Sequence, residues 1–151
     1  MPIDRKKGQQ LHQRLIEFGA RSTRVAKLLP RTEEGRYISQ QILRSGLAAA
    51  ANYAEAQAAE SRADFIHKLR IVLKELNETR SWLEQIVANG LHSRDKMGAI
   101  IAKNQELCFI NWCFHPDRPS PAKPNLRFFC CSPGSILDFA ISDLSCRIVQ
   151  S

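Results

Sequence analysis

Between Gln41 and Glu55 the chain reads Gln-Ile-Leu-Arg-Ser-Gly-Leu-Ala-Ala-Ala-Ala-Asn-Tyr-Ala-Glu, and this stretch constrains the fold more than any other. Ile38, Ile42, Ser45, Ala49, Asn52, Ala56 and Ala59 recur at alternating spacings of four and three, which lines them up on one stripe of an α-helix. Most of them are small, so a second helix can approach closely along the stripe. Beside it, Gln41, Arg44, Asn52 and Glu55 form a polar line, because positions eleven apart differ by only about 20° around a helix. Alanines flanked by a hydrogen-bonding ladder predict a helix packed on two sides at once, against its own chain and against a neighbouring copy.

The same alternation recurs in three other segments. Leu11, Leu15, Phe18, Ser22, Val25 and Leu29 predict a first helix over residues 9–29, stopped by Pro30. Thr32, with Glu33 and Glu34 after it, caps the second helix, which runs to Ala59. Ser61 followed by Asp64 resembles a capping box opening a third helix, with the seam Phe65, Leu69, Val72, Leu76, Thr79, Leu83 and Ile86 and a left-handed stop at Asn89-Gly90. Ser93 caps a fourth, whose stripe is Met97, Ile101, Asn104, Cys108 and Asn111. Four such helices on short connections predict an all-α, up-down-up-down four-helix bundle over residues 1–110.

From His115 onward the repeat gives way to five prolines in nineteen residues, Pro116, Pro119, Pro121, Pro124 and Pro133. Residues 111–151 therefore read as an irregular C-terminal tail that begins as an extended linker. Its later run of Ile136, Leu137, Phe139, Ala140, Ile141 and Leu144 suits either a short helix docked on the bundle or an apolar tail without a fixed place. No apolar run approaches the ~20 residues of a membrane span, and nothing near Met1 resembles a secretory signal, so a cytoplasmic location is expected. In that compartment Cys108, Cys113, Cys130, Cys131 and Cys146 read as reduced thiols, and with His115 they make no zinc pattern.

Charge is distributed unevenly. Residues 1–31 hold eight Lys or Arg against Asp4 and Glu17, whereas residues 32–110 balance ten basic against ten acidic side chains. Arg14, Arg21, Arg24, Lys27 and Arg31 lie on the half of the first helix beside and away from its apolar seam, with Arg5, Lys6 and Lys7 in front. Cations in such a row suit phosphate contacts, which are strongly salt-dependent and blind to base sequence.

The spaced strings Gln41-Ile42-x-Arg44-Ser45-Gly46, Ala51-Asn52-Tyr53-Ala54-Glu55-Ala56, Ser61-Arg62-Ala63-Asp64-Phe65-Ile66 and Leu73-x-x-Leu76-Asn77-Glu78 carry a resemblance over residues 15–110. They resemble the small bacterial four-helix-bundle proteins encoded in intervening sequences of large-subunit ribosomal RNA genes. That family is similar in fold to the accessory protein of diversity-generating retroelements. The resemblance implies a homopentameric barrel of bundles with a basic surface suited to RNA or DNA, and no established biochemical activity. Leu47, Ala48 and Ala49 depart from a more polar Thr-Ser-Pro-like segment. After Ile110 the basic helical ending of the family is replaced by Asn111-Trp112-Cys113-Phe114-His115-Pro116, so residues 111–151 are expected to arise from a shifted reading frame.

For the polar line on the second helix, a subunit-interface network is expected, with Arg44 paired to Glu55 and Asn52 fixing register. A di-iron site would need a carboxylate on each of two helices and Glu-x-x-His on the other two; Asp64 and His67 supply one imperfect copy. Arg62 and His67 match the loose pattern of the helical HEPN ribonucleases, which would act without metal, His67 as acid or base and Arg62 on the developing phosphate charge. Arg5 and His12 match it too, so the pattern arises readily. Trp82 and Trp112 suit core or interface packing better than base stacking. Together the residues predict a non-enzymatic, oligomeric bundle that binds nucleic acid through its first helix, with no cofactor, metal, membrane or small-molecule substrate. The competing readings are the ribonuclease and a purely structural oligomer kept soluble by its charge.

Overall fold

A computed structural model of the chain describes residues 5–113, and over that range it contains four helices and no strand. They are α1 (Arg5–Leu28), α2 (Glu33–Gln57), α3 (Arg62–Ala88) and α4 (Arg94–Cys113). Each helix packs on its neighbours in cyclic order, most extensively α2 on α3 and least extensively α1 on α4. This is the expected four-helix bundle, closed more tightly on the α2 side than between its first and last helices. No described helix is long and apolar enough to cross a membrane. The expectations for the tail, including the shifted frame, lie outside the described residues.

Local chemistry explains the boundaries. The Thr32 hydroxyl accepts from the Gly35 amide at 3.1 Å, satisfying a donor that the first turn of α2 leaves free. Ser61 does the same for Asp64 at 3.1 Å. At the end of α3, Gly90 takes φ +69°, and the Leu91 and Gly90 amides donate to the carbonyls of Ile86 and Val87 at 3.0 and 3.1 Å. That is the Schellman arrangement, which glycine enters without a Cβ penalty. Ser93 starts α4 through its carbonyl oxygen, which accepts from Lys96 and Met97. Apart from shifts of one and two residues at the ends of α1 and α2, which stop at Leu28 and Gln57 rather than Leu29 and Ala59, two ends differ from expectation. α1 begins at Arg5 rather than residue 9, because its first turn is polar and leaves no apolar repeat to read; α4 continues through Asn111 and Trp112 to Cys113, past the expected boundary at 110.

The expected seams are the core. Leu15, Phe18, Ile42, Ala49, Val72, Leu76, Leu83 and Ile86 are fully buried, the larger of them contributing about 1.5–3 kcal/mol each relative to exposure. Ile100 and Leu107 on α4 and Tyr53 on α2 join them from outside the predicted stripes, while Asn52, Phe65 and Cys108 are only half-buried. Across the middle runs a thin polar layer. Thr79 Oγ1 donates to Ser45 Oγ at 2.8 Å, Ser45 donates onward to the Gln41 carbonyl at 2.9 Å, and Ser22 donates to the Phe18 carbonyl at 3.0 Å. Asn104 Nδ2 ties α4 to α3 through the Leu76 carbonyl at 2.9 Å. Every one of these buried side-chain donors has a partner, which is what permits them inside an apolar core.

Close approach is concentrated where α1 meets α2. A Cβ at Gly46 would lie 2.7 Å from Ser22 Cβ and 2.9 Å from its Oγ, and one at Gly19 would lie 3.2 Å from the Gly46 carbonyl oxygen. At Gly98, in α4, the same atom would meet nothing within 4 Å. These two sites should respond with opposite signs. Gly46→Ala is expected to cost about 2 kcal/mol or more through overpacking, outweighing the roughly 1 kcal/mol of helix propensity gained. Gly98→Ala should raise stability by about 0.5–1 kcal/mol. Urea unfolding midpoints of the two variants, one lowered and one raised, check this.

Candidate nucleic-acid and assembly surfaces

The five cations expected to form the basic row do not share one environment. Arg14 sits on the flank of α1 that faces α4, where it pairs with Glu106; Lys103 Nζ donates to the same carboxylate at 2.9 Å. Burial pushes the Glu106 carboxyl up, but hydrogen bonds from Lys103 and Arg14, with their positive charges, outweigh it and hold the group below its usual value. Arg14 thus ties α1 to α4. Arg21, Arg24 and Lys27 are exposed along the second half of α1, and Arg31 is exposed in the connection that follows. None of these four has an ion pair among the described residues. Their separations of three and four place one cation per turn.

The polar line on α2 is engaged across the α2–α3 seam. Arg44 pairs with Glu78 and also donates to Gln41 Oε1 at 3.3 Å. Trp82 Nε1 approaches the same Glu78 oxygen at 3.5 Å, and its ring meets Tyr37 edge-on, with centroids 5.7 Å apart. Glu55 accepts from Lys68 Nζ at 2.5 Å, which raises the Lys68 ammonium above its usual value. Asn52 Nδ2 donates to the Ala48 carbonyl at 2.9 Å. Within the chain, then, Arg44 and Glu55 are not paired with one another, and their partners Glu78 and Lys68 were not anticipated. Finding them requires the antiparallel register of α2 and α3, which the Ser45–Thr79 contact sets and no single-helix pattern encodes. Exposed pairs of this kind contribute about 0–1 kcal/mol each.

A further feature was legible and missed. Leu47 is 51 % exposed, and Ala51, Ala54 and Ala58 continue its outward line at spacings of four, three and four. Ile16, 46 % exposed, precedes by one turn the Gly19 against which Leu47 leans. The outer face of the α1–α2 hairpin is therefore small and apolar.

Arg62 is the first residue of α3, and both it and His67 are exposed. No three His, Cys, Asp or Glu side chains among the described residues are grouped to hold a metal ion. Cys108, the cysteine whose side chain is described, has its thiol pushed up to about 11 by burial, so it stays neutral.

Fold and surface together define a helical bundle with an open cationic row on its first helix. The chain belongs to the 23S rRNA-intervening sequence protein family, whose model matches residues 7–111. Among solved structures it is similar to a protein of unknown function of the S23 ribosomal protein family from Bacteroides thetaiotaomicron. The two are 38% identical, with a TM-score of 0.63, over 67% of this chain and 94% of that one. No curated protein matches the chain.

Because Glu106 is held below its ordinary value of 4.5, its contribution to stability is present above that pH and disappears as the pH falls through the folded-state value. Glu106→Gln should therefore lower the urea midpoint at pH 7, and the difference from wild type should shrink steadily on acidification below 4.5. Midpoints measured across that range test the sign.

Proposed function

We propose that this protein is a non-enzymatic, self-associating bundle that binds nucleic acid through phosphate contacts from α1. The observation that carries the reading is the set Arg21, Arg24, Lys27 and Arg31, exposed and without ion pairs, while Arg14 is engaged by Glu106. Cations already matched by a carboxylate release few counterions from a polyanion; unmatched ones release one for each phosphate they neutralise. Such contacts position a protein on a backbone without reading bases. Self-association is supported by the outward α2 face of Leu47, Ala51, Ala54 and Ala58, whose small side chains leave room for a neighbouring helix. Arg44, Gln41, Asn52 and Glu55 border that face, and a neighbouring copy would meet them there.

Binding of the full chain to a labelled RNA or DNA duplex over a potassium chloride series tests the reading. Four phosphate contacts predict a log–log slope of about −3.6 on duplex DNA. Replacing Arg21, Arg24, Lys27 and Arg31 together by Gln should remove about 3.6 from the slope, whereas Arg14→Gln should leave it nearly intact. A flat response from the wild-type chain, or equal losses in both variants, would remove the phosphate mechanism and leave a structural oligomer.

A further inference from the structure

The basic row has a second wall on α4. Lys103 and Arg14 meet at one carboxylate, so the flank of α4 carrying Lys103 faces α1. Lys96 lies seven residues, two turns, before Lys103 and therefore on the same flank. The two helices are antiparallel neighbours. Ten residues separate Arg14 from Arg24 on α1, and ten separate Glu106 from Lys96 on α4, so each pair spans about 15 Å in the same direction. Lys96 thus stands level with Arg24, across the least closely packed pair of helices in the bundle. It is exposed and, like the α1 cations, has no ion pair among the described residues.

Carboxylates occupy the other half of this groove. Glu106 matches Arg14 and Lys103, and Glu17 lies one turn before Arg21. Glu33, Glu34 and Asp95 lie at the cationic end itself, in the first turns of α2 and α4, where the helix dipole offsets part of their charge. At this end Arg21, Arg24 and Lys96 are exposed without ion pairs among the described residues, with Lys27 and Arg31 beside them on the outer side of α1 and in the connection that follows. Among the described residues no aromatic side chain belongs to that cluster: Tyr37 rests against Trp82 on the α2–α3 side, and Phe109 and Trp112 lie in the last turns of α4. Single strands are held by aromatic platforms for their unstacked bases, whereas a duplex offers phosphates at about twice the linear density.

We propose that the α1–α4 groove is a two-walled cradle for the phosphate backbone of a nucleic-acid duplex, with Lys96 as its contact from α4. This rests on the reading that the protein binds nucleic acid. It adds one residue outside α1 and excludes unpaired bases as the primary ligand.

The test compares wild type, Lys96→Ala and Lys74→Ala, the last removing an exposed charge from α3, which does not pack on α1. Each full-length protein, checked for helicity by circular dichroism, is titrated over a salt series with a duplex and with one of its strands alone. Lys96→Ala should reduce the salt slope on duplex by about one and weaken binding several-fold, Lys74→Ala should match wild type, and the single strand should bind several-fold more weakly. If the wild type shows the salt-dependent duplex binding but Lys96→Ala behaves as Lys74→Ala, the cradle is wrong and the α1 reading stands. Equal or tighter binding of the single strand overturns the duplex assignment. Failure to bind either nucleic acid removes both readings. Binding only to anionic phosphatidylglycerol vesicles would do the same and would point to Leu28, 65 % exposed between Arg24 and Arg31, as a lipid contact.

Discussion

Two consecutive residues of α2 set the spacing of the bundle. Ser45 accepts from Thr79 on α3, and Gly46 brings the backbone of α2 against Ser22 on α1. Neighbouring positions on a helix point about 100° apart, so this one dipeptide faces both partners of α2 at the same level. Small side chains on both sides let the helices approach closely, and dispersion and burial along the flanking Ile42, Ala49 and Tyr53 then reinforce the contact. α3 in turn carries α4 through the Asn104 amide on the Leu76 carbonyl. The remaining edge, between α1 and α4, has no comparable small-residue contact and is tied instead by Arg14, Lys103 and Glu106.

That asymmetry has electrostatic consequences. Where helices pack tightly, charged side chains at the seam find carboxylates across it, as Arg44 does with Glu78 and Lys68 with Glu55. Where the bundle is least closed, Arg21, Arg24, Lys27, Arg31 and Lys96 have no ion pairs among the described residues, although Glu33, Glu34 and Asp95 lie at the same end. A folded domain gains nothing in stability from clustered like charges, whose mutual repulsion is relieved by a polyanion. The surface proposed to meet nucleic acid is thus one that internal packing leaves electrostatically incomplete.

Helix type, number and most of the buried seam were legible because each depends on one helix at a time. Leu11 to Leu29, Ile38 to Ala56 and Leu69 to Ile86 show their inward faces as spacing alone, and Thr32, Ser61 and Gly90 mark ends through local backbone chemistry. α4 was read less well. Ile100 and Leu107 are buried beside the predicted stripe, and Ala99, Ala102, Phe109 and Ile110 make the rest of the helix almost as apolar, so its periodicity is faint. What required the fold was anything between helices. Arg14 looks like Arg21 in sequence, and only the α1–α4 register separates a tie to Glu106 from an open cation. For the same reason Arg44 and Glu55, similar in charge and spacing to an interface pair, have intrachain partners on α3.

Native-state hydrogen exchange tests the dependence of the bundle on α2 most directly. Amides from Ile42 to Tyr53 should exchange only by global unfolding, with the free energy found in urea, whereas α4 amides from Met97 to Leu107 should exchange through a smaller, lower-energy opening. Exchange of the α2 amides at a free energy below those of α4 would contradict the claim that the Ser45–Gly46 contacts hold the structure together.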